Sequence, residues 1–448
     1  MRLQRRPRTS RAEAFERACR LIGRHAPIRS VHARRRRPDQ IDLFIHTALV
    51  NQAILSTPSP APVPIVPMVG CGASTSADTS VVAAVGEAVE RVFGSTVMIR
   101  GGIHASPREL ADAALDPRGL APFSEEQSRA PGFPFARFDP DEPIAWAQAT
   151  SLSSGRELWA PAEAVYLGAH CRNVHLVATS SGLASASTLE EAIATATYEL
   201  IERDAFMITW VAQRTPPEID LALCQQPEVR ELVRRARNGR VELRAFDVTT
   251  DVAIPTFLAI AIGVGGQAPS LAVGAASRLS ASAALAKALM ESLHTWNWTF
   301  ELLGARGELT GPEAETDFAI RDFADLVYLY AHPWRRKALD FLLEPRDKVP
   351  LAEEAEPAET ASAEIERIVS ALQAAHCQVF AVDLSPDPEW NWGLHVVRAL
   401  SPDLVPLSLS GHRSYRGCER YFSVPERLGD AKRPTNDADL NREPHPFP

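Results

Sequence analysis

The chain has 448 residues, of which 45% are hydrophobic and 23% charged, with 24 glycines and 35 prolines. This composition is typical of a globular protein with a large core, and it excludes a short binding module, a collagen-like repeat and a globally disordered chain. The net charge is −9, yet residues 1–40 hold 13 arginines and three acidic residues, so that segment carries +10 and the remainder −19.

The basic N-terminal segment has two interpretations: an arm that contacts an acidic partner, nucleic acid or a membrane surface, or a solvated tail. No apolar stretch with a small-residue cleavage site follows Arg5 and Arg6, and the longest apolar run, 252–264, is broken by Pro255. We therefore expect a cytoplasmic protein that does not bind membranes. The rest of the chain is acidic and lacks an aromatic–basic stacking pattern, which argues against nucleic-acid binding. Without a CxxC pair, the six cysteines are expected to be reduced thiols.

Residues 41–55 have helical character and precede a proline-rich run between Pro58 and Pro67 that favours an extended path. We place a boundary here, between a basic appendage (residues 1–56) and a main body (residues 57–448). Within the body, the acidic, proline-containing stretch at about 344–360 reads as a surface loop.

A weak internal repeat spans residues 227–264 and residues 362–397. Each copy reads as a helix, a strand, a D-x-[ST]-x-D segment and a second strand, with Asp247 and Asp383 opening the two acidic segments. Asp and Ser/Thr are common turn formers, so these segments need no further function. The repeat predicts an α+β (mixed α/β) fold with a duplicated helix–strand unit.

Carboxylates recur at helical spacing in three segments. Residues 87–91 and 199–203 share the pattern E-x-x-E-R, and a nearly apolar helix at 281–298 carries Glu291 and His294. Residues three apart share a helix face, so each E-x-x-E-R segment directs two carboxylates the same way. Such acids suit Mg²⁺, and Arg91 and Arg203 suit phosphate oxygens. The alternative is ordinary surface ion pairs, with Glu191 serving only as the N3 residue of a capping box.

Taken together, several motifs are specific, and they run in order from about residue 65 to the end of the sequence. Residues 179–205 resemble the central signature of the YcaO family, as does the Val-Gly-Glu-Ala-Val-Glu-Arg segment that ends at Arg91. Asp383-Leu-Ser, residues 421–429 and the terminus Asn441–Pro448 resemble the branch that forms thiazoles and oxazoles in peptides. The resemblance implies a YcaO-type fold in which ATP and Mg²⁺ sit among helical carboxylates.

The resemblance also implies roles for individual residues. The metal-facing acids would be Glu87, Glu199, Glu202 and Glu291. The nucleotide-side residues would be Glu90, Arg91, Ser187, Glu191 and Arg203. The proline-rich tail 444–448 would insert toward the active site, with a frayed terminus as the alternative. His294, His445 or the carboxylate of Pro448 would supply a base.

Four positions depart from the family pattern: Cys71 replaces a lysine between two glycines, Ala84 a serine, Ser181 an asparagine and His294 a glutamine. These departures keep two alternatives open beside ATP-dependent cyclodehydration of Cys, Ser or Thr in a ribosomal precursor peptide. One is a non-catalytic scaffold of a peptide-modifying complex. The other is YcaO-type backbone thioamidation, against which the tail argues.

The resemblance further implies partners. We expect a separate E1-like (ThiF-like) protein that binds the leader peptide, contacted through the arginine-rich arm, since only about 60 residues precede the YcaO-like body. A separate flavin-dependent azoline dehydrogenase would oxidise the rings where azoles are the product, and a homodimer is the expected assembly.

Overall fold

The structure is a computed structural model. It describes residues 8–51, 69–95, 102–167, 175–176, 179–266, 268–309, 318–344, 346–385, 393–409, 414–430 and 433–448. The chain forms two compact units. Unit 1 comprises residues 1–34, 44–200 and 358–406, and unit 2 comprises residues 35–43, 201–357 and 407–448.

Unit 1 contains a three-stranded sheet of order β1-β2-β3 and a six-stranded sheet of order β4-β5-β13-β14-β7, in which β6 pairs with β5. Its strands are Ile28–Ala33 (β1), Phe44–Val50 (β2), Val69–Ser74 (β3), Ile103–Ala105 (β4), Ile144–Ser151 (β5), Glu157–Pro161 (β6), Leu183–Ala186 (β7), Phe380–Asp383 (β13) and His395–Leu400 (β14). Its helices are Arg11–Arg20 (α1), Ala77–Ser95 (α2), Pro107–Leu110 (α3), Pro117–Leu120 (α4), Glu125–Arg129 (α5), Ala162–Val165 (α6) and Ala361–Ala374 (α12).

Unit 2 contains a five-stranded sheet of order β11-β10-β9-β8-β12. Its strands are Glu218–Ile219 (β8), Val241–Asp247 (β9), Thr256–Gly263 (β10), Leu271–Ser277 (β11) and Lys348–Val349 (β12). Its helices are Pro227–Asn238 (α8), Ala281–Arg306 (α9), Phe323–Tyr330 (α10), Asp340–Leu343 (α11) and Arg420–Arg427 (α13), and α7 (Leu189–Val211) belongs to unit 1 up to residue 200 and to unit 2 from residue 201. Helix α9 packs on β10 and β11, whose residues are almost all buried.

The duplicated helix–strand unit is confirmed. Helix α8 leads into β9 and then β10, and helix α12 leads into β13 and then β14. Both pairs of strands are antiparallel. Asp247 accepts hydrogen bonds from Thr249, and Asp383 accepts one from the backbone N–H of Ser385, so both acidic segments are Asx turns. The mixed α/β fold class is likewise confirmed.

The prediction of helical character for residues 41–55 is wrong, because residues Phe44–Val50 form strand β2. Strand β2 pairs with β1 on one edge and with β3 on the other. The apolar residues of this segment fit either period, but the β-branched Ile45 and Thr47 favour a strand once partners are available on both sides. The proline-rich run at 58–67 lies outside the described residues.

Strand β2 lies before residue 56 and its partner β3 after it, and the boundaries of the two compact units fall elsewhere. The division into residues 1–56 and residues 57–448 therefore stays a prediction about domain organisation.

Of the stretch 344–360, Lys348–Val349 pair with β8, and residues 350–360 contain neither helix nor strand. Among the described residues, no helix is both long and apolar enough to cross a lipid bilayer.

Strand β3 lies directly against the backbone of α2, and two glycines make this possible. A Cβ at Gly70 would meet the carbonyl oxygen of Ala84 at 2.2 Å, and one at Gly72 would meet that of Ser80 at 2.2 Å. These contacts are with backbone, which cannot rotate away. The two glycines therefore set the distance between the strand and the helix that carries Glu87 and Glu90.

We expect Gly72→Ala to lower the free energy of unfolding by about 1–3 kcal/mol, because the added methyl group must push β3 away from α2. The measurement is urea unfolding followed by circular dichroism. Gly304→Ala is the matched control: its Cβ would approach only the Arg37 guanidinium, at 3.5 Å, and alanine is favoured over glycine inside a helix. Equal stabilities for Gly72→Ala and wild type would contradict the packing described above.

Candidate functional site

The predicted site residues lie in both units, and each set is described within its own unit. Helices α2 and α7 carry the two E-x-x-E-R segments, as the spacing predicts. In α7, Glu199 and Glu202 are three residues apart and share one face of the helix. Unit 1 holds Glu87, Glu90, Arg91, Ser187, Glu191 and Glu199, and unit 2 holds Glu202, Arg203, Glu291, His294, His445 and Pro448.

In unit 1, Glu87 is held by its own helix and by strand β3. Arg91, one turn later on α2, donates to its carboxylate at 3.1 Å. The backbone N–H of Cys71 donates to the other carboxylate oxygen at 2.8 Å. Both side chains of the ion pair are about one-third exposed or less. Because the donor of residue 71 is its backbone, the replacement of lysine by Cys71 leaves this contact intact.

Glu90 lies one turn from Glu87 and accepts a hydrogen bond from the backbone N–H of Ser185 at 2.9 Å. Burial raises the pKa of Glu90 from 4.5 to about 8, and repulsion from Glu199 and Glu87 adds to this effect, against the opposing pull of that hydrogen bond and of Arg91. The structure therefore brings carboxylates of two different helices, α2 and α7, near one another in unit 1.

Sequence reasoning missed Arg398, which is buried in strand β14. It donates to three backbone carbonyls, those of Ala164 (3.1 Å), Thr179 (2.7 Å) and Ser181 (2.8 Å). Burial lowers the pKa of its guanidinium to about 10, and neighbouring Glu199 opposes this shift, so Arg398 stays charged at neutral pH. A lone arginine inside the apolar run His395–Leu400 was the available signal.

The turn that Arg398 holds is the Thr-Ser-Ser-Gly segment of the family signature. Gly182 has φ of +77°, and a Cβ there would meet the carbonyl oxygen of Ala399 at 2.5 Å, so glycine is required. The backbone N–H of Ser181 bonds to the hydroxyl of Thr179 at 3.2 Å. Backbone contacts thus define this turn, and they are kept although Ser181 stands where the family pattern has an asparagine.

Two of the predicted nucleotide-side residues contact the N-terminal segment of the chain itself. Glu191 accepts hydrogen bonds from the backbone N–H (2.7 Å) and hydroxyl (3.0 Å) of Thr9. Arg17, on α1, donates to the carbonyl oxygen of Ser187 at 2.7 Å. Glu191 also retains its capping position, since its N–H bonds to the hydroxyl of Thr188. Part of the basic segment therefore binds within unit 1.

In unit 2, Arg203 lies between an acid and an aromatic ring. It forms an ion pair with Glu202 at 2.5 Å, and both side chains are largely buried. Its guanidinium carbon also lies 4.5 Å from the centre of the Phe447 ring, a cation–π distance. Phe447 is itself buried against Phe206, with ring centres 4.5 Å apart. The C-terminal tail is thus in contact with a predicted nucleotide-side residue.

The tail is fixed by hydrogen bonds rather than frayed. Trp210 donates to the carbonyl oxygen of Glu443 at 2.9 Å, the Tyr330 hydroxyl bonds to that of Pro444, and Arg335 pairs with the Glu443 carboxylate at 2.5 Å. These contacts place both aromatic rings and a buried arginine against the last six residues.

His445 is buried, and both of its ring nitrogens have partners within unit 2. Nε2 lies 2.7 Å from the carbonyl oxygen of Ser408, and Nδ1 accepts the backbone N–H of Phe447 at 3.2 Å. Burial lowers the pKa of His445 to about 4. A neutral ring with its proton on Nε2 satisfies both contacts. The geometry gives His445 a positioning task, and a role for His445 or Pro448 as a base stays a prediction.

Glu291 lies on α9 and pairs with Lys287, one turn earlier on the same helix. His294 follows three residues later and is half-buried.

A second charged group that sequence reasoning missed is Asp204. It is fully buried beside Arg203 and accepts two hydrogen bonds from Arg420, of 2.8 and 2.7 Å. Its position directly after the E-x-x-E-R segment was the signal.

The donor set of unit 1 fits a hard cation by its chemistry. Glu87 and Glu199 lie close enough to Glu90 to raise its pKa, so three carboxylates can supply oxygen ligands, and a cation would relieve the repulsion on Glu90. Arg91 supplies a cationic group beside Glu87, and the buried Arg398 adds a second positive charge near Glu199. Within the part of the chain that the structure describes, no three His, Cys, Asp or Glu side chains lie close enough as they stand to hold a metal ion.

The fold and these acids define the class of protein, an α/β protein with acidic helices. The model of the family described as YcaO cyclodehydratase, ATP- and Mg²⁺-binding, matches residues 71–405, about three quarters of the chain. The chain therefore belongs to the YcaO family, and the resemblance deduced from its motifs is confirmed.

The chain is also similar to individual proteins. An uncharacterized protein in the tfuA 3′ region of Rhizobium leguminosarum bv. trifolii is 34% identical over 136 residues, which is 28% of this chain and 32% of that protein. A heterocyclase in complex with substrate and cofactor has a TM-score of 0.78 at 23% identity, covering 100% of this chain and 59% of the other. This chain thus spans a third of the first relative and under two thirds of the second.

Two further structures share the fold along most of both chains. YcaO from Methanopyrus kandleri bound with AMPPCP and Mg²⁺ has a TM-score of 0.61 at 17% identity, covering 88% of this chain and 91% of its own. The E. coli microcin synthetase McbBCD complex with pro-MccB17 bound contains a chain with a TM-score of 0.63 at 13% identity, covering 93% and 96%.

The raised pKa of Glu90 predicts a pH-dependent effect of Glu90→Gln. Ionising Glu90 costs more in the folded than in the unfolded chain, so this side chain lowers the free energy of unfolding progressively as the pH rises from about 4.5 to about 8. We expect the variant to be more stable than wild type above about pH 8, and the gain to vanish near pH 4.5.

The measurement is urea unfolding across this pH range without nucleotide or divalent cation. Glu126→Gln, which removes an exposed carboxylate of unit 1, is the control and should follow the wild-type profile. Parallel profiles for Glu90→Gln and wild type would contradict the crowding of carboxylates around Glu90.

Proposed function

We propose that the protein is an ATP-dependent cyclodehydratase acting on a ribosomally made precursor peptide. A Cys, Ser or Thr side chain of the substrate attacks the preceding amide carbonyl, and the resulting oxyanion takes the γ-phosphoryl group of ATP. Loss of phosphate from that carbon then leaves a thiazoline or oxazoline. The net change is removal of one water from the peptide, with ATP converted to ADP and phosphate. Microcin-like or other bacteriocin peptides are the class of product this implies.

The crowding of Glu87, Glu90 and Glu199 is the observation that carries the proposal. Glu90 is a half-buried carboxyl whose pKa is raised by burial and by two neighbouring acids, and a cation beside it would favour its ionised form. Membership of a family described as ATP- and Mg²⁺-binding supports Mg²⁺ and ATP as the ligands of this cluster. Phosphoryl transfer requires mainly positioning and charge neutralisation from the protein, so it needs no nucleophilic side chain.

The residues divide into tasks accordingly. Glu87, Glu199, Glu202 and Glu291 would hold Mg²⁺, which neutralises phosphate charge when bound. The nucleotide would contact Glu90, Arg91, Ser187, Glu191 and Arg203. In unit 1, Arg91 orients Glu87, and Arg398 holds the signature turn. In unit 2, Phe447 packs on Arg203, and His445 holds the backbone of the tail.

We also propose the assembly in which this reaction occurs. The substrate would be presented by a separate E1-like (ThiF-like) protein that binds the leader peptide, and azole formation would need a flavin-dependent dehydrogenase. The similarity to a chain of a three-component synthetase with its peptide bound supports a multi-protein system. A homodimer and a cytoplasmic location belong to the same proposal.

A non-catalytic scaffold is the second candidate, and a specific contact favours it. Lys287 neutralises Glu291, one of the four acids assigned to the metal, within its own helix. If this pair persists in the assembled complex, the metal site loses a ligand, and the protein would hold a peptide or an active paralogue instead.

The deciding experiment measures Mg²⁺–ATP binding as a shift in thermal unfolding, followed by mass spectrometry of a precursor peptide incubated with its partner. Ligand at about 100 times its dissociation constant should stabilise the protein by roughly 2.7 kcal/mol. We expect Glu199→Gln to abolish both the shift and the loss of water, and Glu366→Gln, an exposed change on α12, to preserve both. Absence of any shift in wild type, alone or with partner, would favour the scaffold.

The contact between Thr9 and Glu191 predicts a role for the N-terminal segment in nucleotide binding. Thr9→Val removes the hydroxyl donor but keeps the backbone N–H, so Glu191 loses one of its two bonds. Because the acceptor is a carboxylate, this hydrogen bond contributes about 1.5–3 kcal/mol, so we expect the dissociation constant for ATP to rise at least about 10-fold.

Isothermal titration calorimetry provides this measurement, with Thr47→Val in strand β2 as the matched control. An unchanged affinity in Thr9→Val would show that Glu191 does not take part in nucleotide binding through this contact.

A further inference from the structure

The three-stranded sheet of unit 1 has a free edge at strand β1. This strand comes first in the order β1-β2-β3, so it pairs with β2 on one side only. The backbone N–H of Arg34, directly after β1, donates to the carbonyl oxygen of Ile45 in β2. By alternation, the backbone groups of Val31 and Ala33 face away from β2. Ala33 is exposed and Val31 half-buried, and no described backbone group bonds to either residue on that side.

This edge is basic and lies in a sheet without acids. Strands β1, β2 and β3 contain no acidic residue, whereas residues 21–34 hold three arginines and two histidines, all of them exposed. In the preceding helix α1, Glu13 caps its own helix and Glu16 lies 3.9 Å from Arg20. The next acid along the chain, Asp39, belongs to unit 2. The edge therefore carries positive charge that no acid of its own sheet offsets.

The two faces of β1 differ along this edge. His32 and Arg34 lie on the face of Thr47, whose hydroxyl accepts a hydrogen bond from Arg34 at 3.1 Å. Val31 and Ala33 lie on the other face, because successive side chains of a strand alternate. An added strand would therefore meet basic groups with every second side chain and small apolar groups with the side chains between them.

The chemistry of the edge selects among possible partners. Cations and a register irregularity, here between Ile28 and Ser30, protect an edge strand against unspecific pairing, but cations attract an acidic strand. A second copy of this chain is disfavoured, because pairing two β1 edges would bring like charges together. Nucleic acid fits less well, since free backbone amides pair with a peptide and Phe44 is the one Phe, Tyr or Trp in the three strands.

We propose that the free edge of β1 binds an extended acidic segment of a partner protein, which adds a fourth strand to this sheet. The backbone of the segment would pair with Val31 and Ala33, and its acidic side chains would lie beside His32 and Arg34. The contact expected of the arginine-rich N-terminal segment is thereby assigned to one strand of unit 1. This inference rests on the fold and not on the proposed enzymatic activity.

Fluorescence anisotropy with the full-length protein tests the proposal, using a labelled nine-residue peptide of alternating Glu and Val as the probe. We expect saturable binding that weakens with salt. The same peptide with every backbone amide N-methylated keeps its charge but loses the donors that pair with a strand, so its affinity should fall at least about 10-fold. A peptide with Lys in place of Glu should not bind. These comparisons use wild-type protein, so no folding defect of a variant enters them.

A matched pair of proline variants tests the edge itself. Ala33→Pro removes an N–H that faces away from β2, a change that an edge strand tolerates, and should weaken binding of the Glu–Val peptide at least about 5-fold. Ala73→Pro on β3 is the control. The N–H of Cys71 donates to Glu87 and not to β2, so by alternation the N–H of Ala73 also faces away from β2. This variant should bind the peptide as wild type does.

A second pair of variants tests the charge. Arg29→Glu should weaken binding at least about 5-fold, and Arg137→Glu, an exposed change elsewhere in unit 1, should leave it unchanged. Equal affinity for the N-methylated peptide, or equal losses in Ala33→Pro and Ala73→Pro, would overturn strand addition at β1. Tighter binding of a single-stranded nine-nucleotide DNA than of the peptide would overturn the choice of partner, and absence of saturable binding in wild type would overturn the proposal as a whole.

Discussion

The placement of Glu90 in partly buried surroundings beside Glu87 and Glu199 is the constraint on which much of unit 1 depends. Burial and the two other acids raise the pKa of Glu90 to about 8, so this carboxyl is mostly protonated near neutral pH. The surroundings are arranged to tolerate this: Ser185 donates its N–H to Glu90, and Arg91 and the N–H of Cys71 share Glu87. A fold that only needed a stable core would gain nothing from this arrangement.

Backbone groups also contribute donors and close contacts around this cluster. Gly70 and Gly72 let β3 approach α2 closely enough for the N–H of residue 71 to reach Glu87, and Gly182 lets the signature turn lie against Ala399. Backbone donors keep their positions whatever side chain they carry. The changes at Cys71 and Ser181 therefore leave the frame of the site unaltered, and any loss they cause falls on contacts with a ligand.

Much of the site could be predicted from sequence because its acids repeat at helical spacing, which fixes their shared face before any tertiary contact forms. The duplicated helix–strand unit was predictable for a similar reason, since the spacing of its apolar residues changes sharply between the helix and the strand. Strand β2 could not be predicted, because the apolar residues of Phe44–Val50 fit both the helical and the strand spacing. Only pairing with its neighbours β1 and β3 selects the strand. Arg398 and the Asp204–Arg420 pair were missed because long-range hydrogen bonds leave no periodic pattern.

The motif of the C-terminal tail could be recognised from the sequence, but the contacts that hold residues 443–447 are visible only in the structure. Tyr330, Trp210 and Arg335 hold the backbone and acid of residues 443–444, and Arg203 stacks on Phe447. His445 uses one ring nitrogen on Ser408 and the other on Phe447, and with a pKa near 4 it has little affinity for a further proton. The contacts of these rings therefore serve to position the tail: His445 holds the backbone of Phe447, and the Phe447 ring lies against the guanidinium of Arg203.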